Sequence, residues 1–150
     1  MENIYYDDDY EQITIRLDKL TINQNRRWGR MTLEQMISHC TIQIKLATGE
    51  VTSKEISPKK LYHNRFIQWI SLYLIPLPKG LDTPSVMDME TNGVTVDDFA
   101  TERQHLIDHL EDFRTLVKLH PHPFYGKLSR MFWGRLVWLH IDHHLRQFGA

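Results

Sequence analysis

Two histidines near the end of the chain, His140 and His144, stand four residues apart in a segment whose apolar residues recur with helical spacing. Side chains at positions i and i+4 share one helix face, with Cβ atoms about 5–6 Å apart. Two imidazoles at that spacing can bind one metal ion, each at about 2 Å. The polar, solvent-exposed side of the predicted helix is marked by Arg135, Asp142 and Arg146. Because both histidines fall on the opposite, apolar side, the pair predicts two inward-facing metal ligands.

A third ligand is expected from another helix, since three protein ligands and one open position make a catalytic type of metal site. His39 is the candidate, because it lies between two sets of apolar residues on the helix predicted over 32–48. Gln43 shares the inward direction of His39 and would orient a bound ligand. Trp133 shares the face of the histidine pair and is predicted to wall the pocket. Catalytic residues stay unassigned, because no carboxylate is predicted on these inward faces.

The same histidines have a simpler interpretation, because a buried histidine is usually a core residue that is hydrogen-bonded to a partner. A metal-free cluster with a structural role therefore stays open beside the metal site. His105 and His109 have the same spacing but are predicted on a solvated helix flank. His120 and His122 fall in a proline-rich loop and are predicted to be loop residues, with a position at the edge of the site as the alternative.

The elements that would position these residues are helical. The apolar spacing predicts helices over about 8–23, 32–48, 58–74, 97–119 and 130–148, with irregular chain over 76–95. Thr32 and Gln35 form a capping-box pattern, and Pro58 after Ser57 marks a further helix start. Ser129 is a candidate N-cap. The pattern predicts one all-α domain over residues 1–150, a four-helix bundle with an extra helix in its long middle crossover.

Composition excludes several function classes. Eighteen Lys and Arg against nineteen Asp and Glu give a formal net charge of -1, so no basic surplus favours nucleic acid as a partner. The longest apolar run is too short to cross a bilayer, so no membrane partner is expected. The first residues do not form a signal peptide. The single cysteine, Cys40, fits a reducing compartment, and the predicted location is the cytoplasm.

Three segments resemble one protein family. They are 28–39 (WGRMTLEQMISH), 122–129 (HPFYGKLS) and 138–149 (WLHIDHHLRQFG). They are similar to the second-helix start, the loop before the last helix and the terminal helix of an uncharacterised branch of the DinB/YfiT-like superfamily. The segment 50–95 carries no motif that matches it.

This resemblance implies a four-helix bundle with an up-down-down-up course and a bound divalent metal, typically nickel or zinc. The superfamily takes one histidine from the second helix and two from an H-x-x-x-H on the last, which correspond to His39, His140 and His144. Its better-studied members are mycothiol-dependent maleylpyruvate isomerase and bacillithiol S-transferases. There the metal activates a low-molecular-weight thiol as its thiolate, and many members are homodimers.

Two functions from different classes follow. The first is a metal-dependent enzyme, a thiol S-transferase or hydrolase, in which the ion activates a thiol or water against a small-molecule substrate. The alternative is a non-catalytic homodimeric bundle that binds a small ligand or a metal. A homodimer is also favoured by the last helix, whose apolar residues extend around most of its surface and need cover. The crossover helix predicted over 58–74 is the alternative source of that cover.

Overall fold

The computed structural model describes residues 1–53, 60–80 and 84–150, and over these ranges the chain has five α-helices and no strand. The helices are α1 (Asp7–Asp18), α2 (Leu33–Thr48), α3 (Arg65–Tyr73), α4 (Phe99–Thr115) and α5 (Arg130–Gln147), with 3-10 turns at Lys60–His63 and Ser85–Met87. None of the helices in the described ranges has the length and hydropathy needed to span a membrane.

The helix starts that the sequence predicts from capping residues are confirmed where the structure describes them. The Thr32 side chain accepts a hydrogen bond from the Gln35 amide, and the Gln35 side chain accepts one from the Thr32 amide, which completes the capping box of α2. Gly49 ends α2 in the left-handed region, at φ 85°. The Ser129 hydroxyl accepts a hydrogen bond from the Phe132 amide and caps α5.

Two predicted helix ends lie too far along the chain. α1 ends at Asp18. Leu20 continues the apolar spacing and is buried, but it lies just beyond the helix, so the spacing alone predicted too long a helix. α4 ends at Thr115, and Val117, which lies within the predicted helix, is 86% exposed. The Arg130 side chain donates hydrogen bonds to the carbonyl groups of Arg114 and Leu116. In a longer α4 these carbonyl groups would instead accept hydrogen bonds from backbone amides of the next helical turn.

The described middle of the chain contains a shorter α-helix than the one predicted over 58–74. The expected start at Ser57 and Pro58 lies outside the described residues. α3 begins after Asn64, whose side chain accepts hydrogen bonds from the amides of Phe66 and Ile67. Over 76–95, predicted to be irregular, the described residues contain one 3-10 turn, Ser85–Met87.

α5 lies at the centre of the structure and packs against α1, α2 and α3, while α2 also packs along α4. The sequence prediction that Arg135 and Asp142 mark an exposed side of α5 is wrong, because both are buried. Asp142 is paired with Arg16 of α1 at 2.7 Å, and Arg135 donates to the Leu72 carbonyl of α3. α1 and α3 thus cover part of the surface of α5, and α3 lies in the crossover that the sequence named as an alternative source of cover. The homodimer stays a prediction.

Candidate metal centre

Three histidines from two helices meet at one point in the interior. His39 lies in the middle of α2, and His140 and His144 lie one turn apart on α5. Their side chains are 2–7% exposed, and their ring centroids are 4.6–4.9 Å apart. The structure thus brings together the three residues that sequence reasoning selected. We call this group the three-histidine cluster.

The rings point their Nε2 atoms at one another. The Nε2 atom of His140 lies 2.9 Å from that of His39 and 3.2 Å from that of His144. One ligand atom from each of the three residues can be chosen so that all lie within 4.8 Å of one another. The cluster is therefore centred on the ring edge of His140.

Hydrogen bonds on the far side of two rings fix which nitrogen carries the proton. His39 Nδ1 lies 2.8 Å from the Met87 carbonyl oxygen, which can only accept. His144 Nδ1 lies 2.8 Å from Gln147 Oε1, and the Gln147 amide is oriented by donating to the Trp28 carbonyl at 2.8 Å. Both Nδ1 atoms therefore donate. It follows that the Nε2 atoms of both neutral rings carry lone pairs.

His140 thus faces two lone pairs with a single nitrogen. Its Nε2 can hold one proton, which two acceptors would have to share, or a lone pair, which would be repelled by both neighbours. Its buried Nδ1 has no hydrogen-bond partner within the described ranges. A cation at the centre satisfies all three Nε2 atoms at once, whereas a shared proton serves them only partly.

Burial keeps these rings uncharged. Desolvation lowers the pKa of His144 to about 3, and it holds the pKa of His140 well below the ordinary histidine value. The pKa of His39 is also lowered by burial, against the opposing effect of its Met87 hydrogen bond. Neutral imidazole is the form that binds metal, so the ligands are ready at neutral pH.

The donor set fits a divalent ion of the zinc type. Nitrogen ligands at about 2.0–2.1 Å in tetrahedral geometry lie about 3.3–3.4 Å from one another. For two of the three pairs, those that include His140, the Nε2 atoms lie 2.9 and 3.2 Å apart, which is close to that value. Hydrogen bonds from Nδ1 to a carbonyl or amide oxygen are the usual outer contacts of metal-bound histidines. His39 and His144 have such contacts, and His140 lacks one among the residues described.

A cavity of about 390 Å³ adjoins the cluster, and its walls are mainly apolar. Gln43, predicted to contact a ligand, does line it. Its side-chain oxygen is buried and has no hydrogen-bond partner among the described parts of the chain. Trp133, predicted to wall the pocket, lies instead in the helical core, and its ring contacts that of His122, which lines the cavity.

The remaining histidines of interest are not part of the cluster. His105 is exposed and His109 is partly exposed on α4, as their predicted flank position requires. His143 is half-buried and lines the cavity, with its ring against those of Trp28 and His144. His120 is exposed, whereas His122 belongs to the cavity wall.

Sequence reasoning missed the outer contacts of the cluster. Met87 contributes only a backbone carbonyl from a short 3-10 turn, and a backbone group leaves no residue-type signal. Gln147 had a usable signal, since it stands three residues after His144 on the same helix. Gly29 has a φ of 78°, and a Cβ atom there would contact the Gln147 amide, so the Trp28–Gly29 segment holds Gln147 closely.

Comparison with known proteins gives one match. The sequence model of a family described as a protein of unknown function (DUF1569) matches residues 76–150, half of the chain. The matched range contains α4, α5 and two residues of the three-histidine cluster, while His39 lies outside it. No curated protein and no solved structure matches the chain.

Proposed function

The chain belongs to the DUF1569 family, whose description states no activity, and we propose that its three-histidine cluster binds one divalent metal ion that serves chemistry on a small molecule in the adjoining cavity. One observation carries the proposal. His39 and His144 are each fixed by an outer hydrogen bond so that a lone pair points at the third imidazole. This arrangement is costly in a buried core unless a cation balances it.

A divalent ion on three histidines would lower the pKa of a coordinated thiol or water and so supply a nucleophile at neutral pH. The chain's own groups give the rest of the site. His39, His140 and His144 hold the ligand atoms in place, and the apolar walls limit the access of water. Gln43 offers an unpartnered oxygen that can accept a hydrogen bond from a protic group of the bound molecule.

The reaction class that we propose is thiol S-transfer or hydrolysis, with nickel or zinc as the ion. The resemblance to the DinB/YfiT-like superfamily supports thiol chemistry, because the histidines that it implies are the ones that meet here. On the same basis we propose an up-down-down-up four-helix bundle of α1, α2, α4 and α5, in which α3 is the extra crossover helix. The packing of α5 against α1 and α2, and of α2 against α4, supports that arrangement.

Cobalt substitution tests the proposed function. Protein reconstituted with Co²⁺ should develop a sulfur-to-metal charge-transfer band when 2-mercaptoethanol is added, because thiolate is a good ligand for borderline metals. The measurement is a titration followed by absorption spectroscopy. His39→Ala should give no band, since one of three ligands is gone.

His143→Ala is the matched control, because His143 lines the same cavity but is not part of the cluster. It should keep the band. Bound cobalt that is indifferent to thiol would point to a closed, structural ion. The absence of any bound divalent ion would overturn the proposal.

Gln147 offers a second prediction. Gln147→Leu should weaken metal binding by about 10- to 100-fold, the range typical for loss of an outer hydrogen bond to a metal-bound histidine. The reason is that His144 loses the acceptor that fixes its proton on Nδ1. Competition with a chromophoric chelator measures the affinity. Gln104→Leu, on the exposed surface of α4, is the control and should bind like the unmodified chain. Equal affinities for both variants would contradict the assigned role of Gln147.

A further inference from the structure

His122 begins a tight loop that closes back on its own side chain. The backbone groups of His122 and Gly126 exchange two hydrogen bonds, each 2.8 Å long. Inside this loop, His122 Nδ1 accepts hydrogen bonds from the amides of Phe124 at 3.0 Å and Tyr125 at 3.2 Å. The His122 ring also packs against Trp133 and Tyr125, with centroids 5.1 and 5.2 Å apart.

The loop therefore determines the tautomer of His122. A backbone amide can only donate, so Nδ1 with two amides against it carries a lone pair. The proton of the neutral ring is then on Nε2. Burial lowers the pKa of His122 to about 4, so the ring is neutral at physiological pH. His122 is thus a fixed N–H donor without charge.

The residue that carries this donor lines the cavity. His122 lines the cavity beside Phe124, Tyr125 and Leu136. Within residues 1–53, 60–80 and 84–150, no hydrogen bond occupies its Nε2 atom. A hydrogen bond formed beside apolar walls is stronger than one in water, because the local dielectric is low.

We propose that His122 is a specificity-determining residue that selects ligands carrying a neutral carbonyl oxygen. A neutral imidazole N–H is suited to polarising a carbonyl group. His122 itself supplies no positive charge for a carboxylate, so its own contribution favours a neutral carbonyl oxygen over an anion. The one arginine in the described wall, Arg30, is largely exposed and already paired with Glu90. The proposal relies on the proposed function only in taking the same cavity as the ligand site.

His122→Asn separates the donor from the loop. The Asn side-chain oxygen occupies about the position of His Nδ1 and can accept from the same two amides, as in an Asx turn. No atom of Asn replaces Nε2. The loop is therefore kept and the cavity donor is lost. His120→Asn, at an exposed position two residues before this loop, is the matched control.

Two probes of the same shape test the selection. Acetophenone carries a carbonyl oxygen, and α-methylstyrene has a methylene group in its place. Binding to the full chain, with zinc and without it, is followed by NMR chemical-shift titration. The unmodified chain and His120→Asn should prefer acetophenone by about tenfold, the value of one hydrogen bond. His122→Asn should bind both probes with equal affinity. The proposal is overturned if the unmodified chain shows no preference, or does not bind acetophenone in the cavity.

A second measurement needs no variant and no probe. Long-range ¹H–¹⁵N correlation spectra of the metal-free chain should show His122 as the Nε2–H tautomer, unchanged between pH 6 and pH 8. The opposite tautomer, or protonation within that range, overturns the proposal. Zinc stoichiometry is determined on the same samples. If zinc does not bind but the probe preference and the tautomer are found, the proposed metal function fails and the role of His122 stands.

Discussion

His140→Ala is expected to abolish binding of the divalent ion, with a loss of affinity greater than about 100-fold, beyond the usual effect of losing an outer contact. His140 Nε2 is the atom that the Nε2 atoms of both His39 and His144 approach. Without it, the remaining two ligands come from different helices and are separated by an unfilled space. Metal content of protein purified without a histidine tag, together with calorimetric titration of zinc, gives the measurement.

His39→Ala and His144→Ala should behave in the same way, because each removes one ligand of three. His105→Ala and His109→Ala should bind one ion per chain, like the unmodified protein. His143→Ala is the more demanding control, since its ring lies 5.1 Å from that of His144. If His143→Ala lost the metal and His144→Ala kept it, the assignment of the ligands on α5 would be wrong.

The part of the site that could be predicted from sequence depends on helical periodicity. His140 and His144 share a face because of their spacing, and His39 follows a capping box that fixes where α2 begins. Each of these signals is local. Local signals were enough to select the three residues, because two well-defined helices bring them together.

The contacts that set the protonation of the cluster could not be predicted in the same way. The Met87 carbonyl reaches His39 across 48 positions of sequence, from a segment without periodicity. Gln147 is bonded to Trp28 at a sequence distance of 119. Such contacts depend on how loops fold over the helices, and neither spacing nor residue type reports that.

Burial on α5 was misjudged for a related reason. Arg135 and Asp142 are charged, and charged residues usually mark the solvent side of a helix. Here each is covered by a partner from another element, Arg16 for Asp142 and Glu2 for Arg135. An amphipathic pattern therefore indicates where a helix is polar, but it does not show whether that polar side is exposed.

Acid is expected to destabilise the metal-free chain well above the pH at which carboxylates titrate. Buried histidines whose folded pKa is lowered bind fewer protons in the folded state than in the unfolded state, where the value is about 6.5. Above about pH 6.5 these rings are neutral in both states and do not reduce the free energy of unfolding. That free energy falls as the pH drops towards the pKa values of the folded state, about 4 for His122 and about 3 for His144. His140, with its pKa well below the ordinary value, acts in the same direction.

The expected slope is about 1.4 kcal/mol per pH unit for each such histidine between pH 6 and pH 5, and the contributions of His122, His140 and His144 have the same sign. The other titratable groups near these rings are His39, the third member of the cluster, together with His143 and Asp88. Asp88 raises the pKa of His39, whereas His143 lowers it. Urea denaturation in the presence of EDTA, at half-unit steps of pH, measures the free energy of unfolding. His122→Asn should reduce the slope by about 1.4 kcal/mol per pH unit, the contribution of one such histidine. A free energy that stays level from pH 7 to pH 5 would show that these rings are not held neutral by burial, and would remove the electrostatic reason for a cation at the cluster.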